Sequence, residues 1–265
     1  MNPVLSSPIR CIALDFDLTM FDYSRPRDTR VLIPWFERLH ESGVLMGIAS
    51  GRTLENLGEE LRKIDISWRR PFPQFVIHEE FYIHWPDAPD QKQIHAWNQA
   101  CAASVRKLCR EARPQFDSCA AQMERLGIGI EIGVVANDAG LTLVLETPAG
   151  AEQARVLLQS LVPPHSGARI SRNHHILLAT PAEYHKGSAL DRLRTLGGFP
   201  PSDVLAIGDN LNDLAMMEES RGFRCATVRN ADPMVRDAVA GRGGRQATQP
   251  IAFGIVELFD SLFQT

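Results

Sequence analysis

Near the start of the chain an apolar run, Cys11-Ile12-Ala13-Leu14, breaks off into Asp15-Phe16-Asp17-Leu18-Thr19. Two carboxylates at the end of a buried element repel each other and cost free energy to desolvate, unless a cation or a proton intervenes. The pair is therefore either harmless surface acid or part of a site built around positive charge. Three later segments hold what such a site needs. Ser50-Gly51-Arg52 offers a hydroxyl donor, a backbone that a ligand can approach closely, and a guanidinium. Lys186 offers an ammonium, and Asp209, Asn212 and Asp213 lie within the run Gly208-Asp209-Asn210-Leu211-Asn212-Asp213. Asp15 and Asp209 are hard oxygen donors of the kind Mg²⁺ takes together with waters and phosphate oxygens. Lys186 and Ser50 suit a phosphoryl group that spreads charge over its oxygens. The two carboxylates after the first strand leave one to attack phosphorus and one to handle the proton of a leaving alcohol. Each piece alone is an ordinary loop or surface feature; together, in this order, they point to cation-assisted phosphoryl chemistry.

The elements that must position these residues are legible as a rhythm. Residues 11–14, 44–50 and 75–77 read as apolar strands, separated by helical patterns at 34–43 and 53–64, with Thr53 as an N-cap. Near-continuous apolar strands between helical crossovers indicate a parallel sheet buried on both faces. The same rhythm returns from Ala182: a helix opening at Lys186, a strand at 204–209, a helix from 212 to 220, a strand at 224–228 and two closing helices. Each polar segment named above follows a strand's carboxyl end or opens a helix, and that edge is where ligands bind in open parallel sheets.

Between the two halves the pattern changes. Residues 93–112 and 116–127 read as two helices, and 151–162 as another. Strand-like segments flank Asn137-Asp138-Ala139-Gly140, which is hairpin chemistry, and 168–171 and 175–180 make two further strands. The run Gly127-Ile128-Gly129-Ile130-Glu131-Ile132-Gly133 superficially suggests a dinucleotide loop but sits inside a strand pattern. The expected organisation is an α/β parallel-sheet core, residues 1–81 and 182–265, interrupted by an α+β domain, residues 82–181.

Composition narrows the partners. The 265 residues are 44% hydrophobic and 23% charged, ordinary for a globular protein, and the net charge of −4 argues against a nucleic-acid binder. No apolar run reaches the roughly 18 residues of a membrane span, and residues 1–10 lack the apolar middle of a secretory signal. Five cysteines without CxxC spacing read as reduced thiols of a cytoplasmic protein. Arg242 and Arg245, in a glycine-rich loop, read as solvated surface. His78, Glu79 and Glu80 stand at the expected junction, and the scattered histidines do not have the spacing of a zinc site.

The quoted segments resemble the haloacid dehalogenase superfamily of phosphatases. Its first motif stands here as Asp15-Phe16-Asp17-Leu18-Thr19, the second as Ser50, the third as Lys186 and the fourth as the run from Gly208 to Asp213. The resemblance implies a Rossmann-like core with Asp15 as nucleophile, Asp17 as acid/base, and phosphate contacts from Ser50 and Lys186. It implies a Mg²⁺ site from Asp15, Asp209 and the Asp17 main-chain carbonyl, with Asp213 supporting it and Asn212 helping to hold the phosphate. Leu18 departs from the pattern, since many relatives have glycine there, and this bears on the local loop shape. The insert is similar to the type IIB cap of the Cof-like and sucrose-phosphatase-like members.

These readings predict a Mg²⁺-dependent phosphatase for a small phosphorylated metabolite, a sugar phosphate or a relative of one. A sugar phosphomutase or phosphotransferase would use the same residues, and a phosphorylated signalling module would share only the acids and the lysine. In the insert, Arg172, Asn173 and His174 either face the substrate or form an exposed turn. Arg52 either reaches the substrate or pairs with a nearby acid.

Overall fold

The computed structural model describes residues 9–67, 71–163 and 166–263, so the reading of the first segment lies outside the described residues over positions 1–8. The chain divides into two compact units, Met1–Ile94 with Lys186–Thr265, and His95–His185.

The first unit is built on a seven-stranded sheet. Its strands are β1 (Cys11–Leu14), β2 (Leu45–Ala49), β3 (Phe75–His78) and β4 (Tyr82–His84) from the first segment. The remaining three, β9 (Val204–Ile207), β10 (Arg224–Thr227) and β11 (Arg245–Gln246), come from the last. The order is β11-β10-β9-β1-β2-β3-β4, and every pairing is parallel except β3 with β4. The strand β1 is buried along its whole length because it lies between β2 and β9, with helices on the flanks. Those helices are α1 (Ile33–Glu41), α2 (Leu54–Arg62), α5 (Lys186–Gly197), α6 (Pro233–Gly241) and α7 (Ile251–Phe263). Amphipathic patterning sets their orientation: α1 buries Trp35, Phe36 and Leu39, and α2 buries Leu57 and Leu61. Thr53 caps α2 by accepting from the Asn56 N–H at 3.2 Å. Phe36 stacks on Phe72 with ring centroids 3.9 Å apart, and Phe16 on Phe21 at 4.7 Å. Burial of each such side chain is worth about 1.5–3 kcal/mol, which fixes the strand ends that carry the acids.

The antiparallel strand β4 extends this sheet, so residues 82–94 fall within the first unit, beyond the boundary expected at 81. The helix expected over 212–220 is only a 3-10 helix, Leu211–Met216. Arg242 is not solvated: its guanidinium donates to the Met217 and Phe223 carbonyls at 2.5 and 2.6 Å.

The second unit is a four-stranded antiparallel sheet, order β5-β6-β8-β7, carrying two helices. Its strands are β5 (Ile130–Asn137), β6 (Gly140–Leu145), β7 (Ala168–Asn173) and β8 (Ile176–Pro181). The β5–β6 turn is closed by Asn137, whose side-chain oxygen accepts from the Ala139 and Gly140 N–H groups at 2.9 and 3.0 Å. The helix α4 (Pro148–Leu161) is capped by Thr147. The two helices expected over 93–127 are one, α3 (Gln91–Arg125), which runs through Pro114. Proline removes an N–H and costs about 3 kcal/mol in a helix interior. Leu108, Ala112, Phe116, Cys119 and Met123 offset it by continuing one buried apolar stripe across the proline.

Among the described residues no helix is long and apolar enough to cross a membrane.

Candidate active site

The strand β1 delivers Asp15. Its N–H continues the parallel ladder by donating to the Ile207 carbonyl of β9 at 2.8 Å, so the carboxylate leaves the sheet at its carboxyl edge between β2 and β9. The chain then turns sharply. Leu18 takes φ +60°, a left-handed conformation in which glycine is at ease, and the loop shape put in question by its leucine is nevertheless formed. The turn is held by the Leu18 N–H to the Phe21 carbonyl at 3.0 Å and by Asn230, which donates to the Leu18 carbonyl at 2.8 Å. Thr19 is thereby placed to donate its hydroxyl to Asp209 Oδ1 at 2.6 Å.

Asp209 follows β9, and the 3-10 helix after it is closed by a capping box between Asn210 and Asp213. Asp213 Oδ2 accepts from the Asp209 and Asn210 N–H groups at 3.0 Å each, leaving Oδ1 to face Lys186. Lys186 opens α5 and is fully buried. Its ammonium donates to Asp15 Oδ1 at 2.6 Å and to Asp213 Oδ1 at 2.7 Å. That approach requires α5 to lie against the 3-10 helix, and Gly187 allows it: a Cβ there would come within 1.8 Å of the Ala215 carbonyl oxygen.

The electrostatics follow from burial and crowding. Burial raises the Asp15 pKa well above the ordinary carboxylate value, with repulsion from Asp213, Asp209 and Asp17 adding to it and Lys186 opposing it. Asp209 is pushed up to about 7, by burial first and by the Asp213 charge second. Burial alone would depress the Lys186 ammonium; the carboxylates of Asp15, Asp213 and Glu80 outweigh it and hold its pKa well above the usual value. Carboxylate oxygens of Asp15, Asp209 and Asp213 lie within 4.8 Å of one another, the one such group of potential metal ligands among the described residues. Three crowded hard oxygens, two of them on carboxyls whose charge is disfavoured without a counter-ion, fit a divalent cation.

Asp17 is turned to other partners. Arg52 Nε donates to both of its carboxylate oxygens at 2.9 and 3.0 Å, and the Tyr23 hydroxyl bonds to Asp17 and to the Arg52 guanidinium. Burial raises the Asp17 pKa, and Arg52 opposes the shift. Of the two roles open to Arg52 in the sequence, the pairing with an acid is the one formed. The Ser50 hydroxyl accepts from the Arg52 N–H at 3.1 Å, and the Ser50 N–H donates to the Ile77 carbonyl at 2.8 Å. Asn212 donates its Nδ2 to Glu80 Oε1 at 3.1 Å, while its Oδ1 is buried without a hydrogen-bond partner.

The first unit thus gathers Asp15, Asp17, Ser50, Gly51, Arg52, Lys186, Asp209, Asn212 and Asp213 at the ends of β1, β2 and β9 and the start of α5. In the second unit Arg172 ends β7 differently from a free substrate contact: it donates to Glu152 at 3.2 Å and to the His174 carbonyl at 2.8 Å. His174 sits in the β7–β8 turn with φ +49°. Tyr23 and Glu80 belong to the site without having been singled out for it. Tyr23 has no spacing signal, and Glu80 read as part of a junction.

A family model for haloacid dehalogenase-like hydrolases matches residues 136–242. Over the whole chain, the sucrose-phosphatase of Synechocystis sp. PCC6803, solved with sucrose and phosphate, superposes with a TM-score of 0.69 at 17% identity, covering 96% of this chain and 98% of that one. The chain thus matches that family over residues 136–242 and shares the fold of that structure over its length. The haloacid dehalogenase subclass IIB sugar phosphatase BT4131 is similar too, with a TM-score of 0.59 at 15% identity over 95% of this chain and 98% of its own, so the two share a fold. In sequence, the phosphoglycolate phosphatase of Methanothermobacter thermautotrophicus is 47% identical over 58 residues, 22% of this chain and 25% of the relative. The match spans about a quarter of that relative's length.

Proposed function

We propose that this chain is a Mg²⁺-dependent phosphatase that hydrolyses a small phosphomonoester, a sugar phosphate or a related metabolite, through an aspartyl phosphate on Asp15. The observation that carries the reading is the buried Lys186 ammonium between Asp15 and Asp213, inside the group of three crowded carboxylates. A lysine with no exposed surface, spanning two acids from distant segments, serves no packing need that an apolar side chain would not meet more cheaply. It suits a site that must receive a phosphoryl group.

Asp15, Asp209 and Asp213 would hold Mg²⁺, with the Asp17 main-chain carbonyl; when bound, the ion supplies charge neutralisation at the phosphoryl oxygens. An Asp15 carboxylate oxygen attacks phosphorus, forming the O–P bond while the bond to the leaving alcohol breaks. Asp17, whose protonated form burial favours, gives its proton to that alcohol oxygen. Arg52 and Tyr23 keep its carboxyl in place. Lys186 and the Ser50 hydroxyl steady the phosphoryl oxygens. A water then attacks the aspartyl phosphate, returning its proton to Asp17 and releasing phosphate. The sugar-phosphate assignment draws on the whole-chain likeness to a sucrose-phosphatase and a sugar phosphatase. Five free cysteines suit a reducing, cytoplasmic setting.

The test is turnover of an aryl phosphate with added Mg²⁺ by the native chain and by Asp15→Asn. Hydrolysis by the native chain and none by the variant, with an unchanged circular dichroism spectrum, is the expected result. Retained hydrolysis in the variant overturns the mechanism. Isomerisation of a hexose phosphate without release of phosphate would make the protein a mutase.

A further inference from the structure

The turn between β3 and β4 carries two glutamates in a conformation that side chains rarely adopt: Glu79 has φ +47° and Glu80 φ +73°. Consecutive left-handed residues in a hairpin are the place of Asn-Gly or Gly-Gly, and other residues there store about 1–3 kcal/mol each. The turn is nevertheless well anchored. The Glu79 N–H donates to the Arg52 carbonyl at 2.9 Å and the Glu80 N–H to the Ser50 carbonyl at 3.1 Å, so the backbone grips the Ser50-Gly51-Arg52 loop. Strain held by surrounding structure beside a reactive site points to a use for the side chain it presents.

That side chain is the 8%-exposed Glu80. Its Oε1 lies over Gly51, where a Cβ would approach it to 2.6 Å, and it accepts from Asn212 Nδ2 at 3.1 Å. Its charge also reaches Lys186. Glu80 therefore stands among Gly51, Asn212 and Lys186, beside the Ser50 and Lys186 groups that the proposed function gives to the phosphoryl oxygens. A carboxylate is the wrong charge for that company. It accepts one of the two Asn212 Nδ2 hydrogens and so fixes which way that amide faces.

We propose that Glu80 is a positioning residue that fixes the Asn212 amide and lays a negative charge beside the phosphoryl pocket, weakening its hold on inorganic phosphate. The inference rests on the phosphatase reading and deepens it: product leaves a pocket that carries its own opposing charge.

The experiment compares the native chain with Glu80→Gln, Glu80→Asp and Glu80→Ala at saturating Mg²⁺. Inorganic phosphate binding is measured by isothermal titration calorimetry, and KM, kcat and phosphate inhibition by turnover. Glu80→Gln keeps the size and the acceptor and removes only the charge. It is expected to bind phosphate about tenfold more tightly, the scale of one charge acting over a few ångströms in a partly screened site. KM should fall with it. Glu80→Ala, which also frees Asn212 Nδ2, should tighten phosphate at least as much, and Glu80→Asp should stay near the native value. A merely structural role predicts the opposite sign, since a loosened site binds less. Unchanged or weaker phosphate binding by Glu80→Gln overturns the proposal. A native chain that binds phosphate but hydrolyses no phosphomonoester ends the phosphatase reading alone, and the sign of the Glu80→Gln shift still decides the present one. No binding by any of the four proteins ends both.

Discussion

Replacing Lys186 by methionine probes the arrangement on which the site depends. The side chain has no exposed surface, so methionine fills nearly the same space and the loss is almost wholly one of charge. Asp15 and Asp213 would lose bonds of 2.6 and 2.7 Å and remain buried. Removing one partner from a buried ion pair costs about 3–5 kcal/mol. That cost has a pH dependence whose sign is fixed by the direction of the Asp15 shift. Its pKa is already raised in the folded chain, so the fold binds protons more readily than the unfolded chain, and stability falls as pH rises. Without the ammonium, which is the group opposing the shift, the carboxyl takes up a proton more readily still. The penalty is then smaller at pH 5, where the acids can protonate, than at pH 8, where they must ionise. Each unit of additional shift is worth about 1.4 kcal/mol. Urea unfolding of both proteins without divalent cation, followed by far-ultraviolet circular dichroism and tryptophan fluorescence, measures the difference. A loss of about 3–5 kcal/mol at pH 8 that shrinks by at least about 1 kcal/mol at pH 5 is expected. A loss below about 1 kcal/mol at pH 8, or an equal loss at both pH values, would refute the reasoning.

Asp209, pushed up to about 7 from the ordinary 3.8, would set proton binding against any divalent cation held there. Metal-free protein should lose stability as pH rises between these values, and Mg²⁺ should raise the thermal midpoint more at pH 7.5 than at pH 5.5; equal shifts at both pH values count against it. Gly187→Ala should cost about 1–3 kcal/mol in urea unfolding, because its methyl meets the Ala215 carbonyl, with no flexible side chain to give way. A variant as stable as the native chain would show that α5 has room to move.

Most of the sheet could be read from the chain because its strands are buried on both faces and therefore continuously apolar, as in Cys11–Leu14 and Val204–Ile207. The acids were legible for the opposite reason: Asp15 and Asp209 follow the ends of such strands, with Asp213 four residues after Asp209, and their joint occurrence with Lys186 points to charge chemistry. What escaped the reading depends on distant partners. Pro114 marks a break by local rules, yet the stripe from Leu108 to Met123 carries the helix through it. Tyr23 earns its place only because Arg52, 29 residues away, shares Asp17 with it. Glu80 looks like loop acid until Asn212, 132 residues later, is seen to donate to it. Arg242 looks solvated until two carbonyls close on it.

The central place of β1 has a consequence for how the protein comes into being. One of its two neighbours, β9, begins about 190 residues after β1 ends. At about 5–20 residues per second, a ribosome delivers that neighbour roughly 10–40 s after the first strand emerges. Throughout that interval the nascent chain holds an apolar strand with one unpaired edge, tipped by acids whose ammonium, on Lys186, is made only near its end. That order of synthesis leaves the edge of β1 that faces β9 open to mispairing until its neighbour arrives.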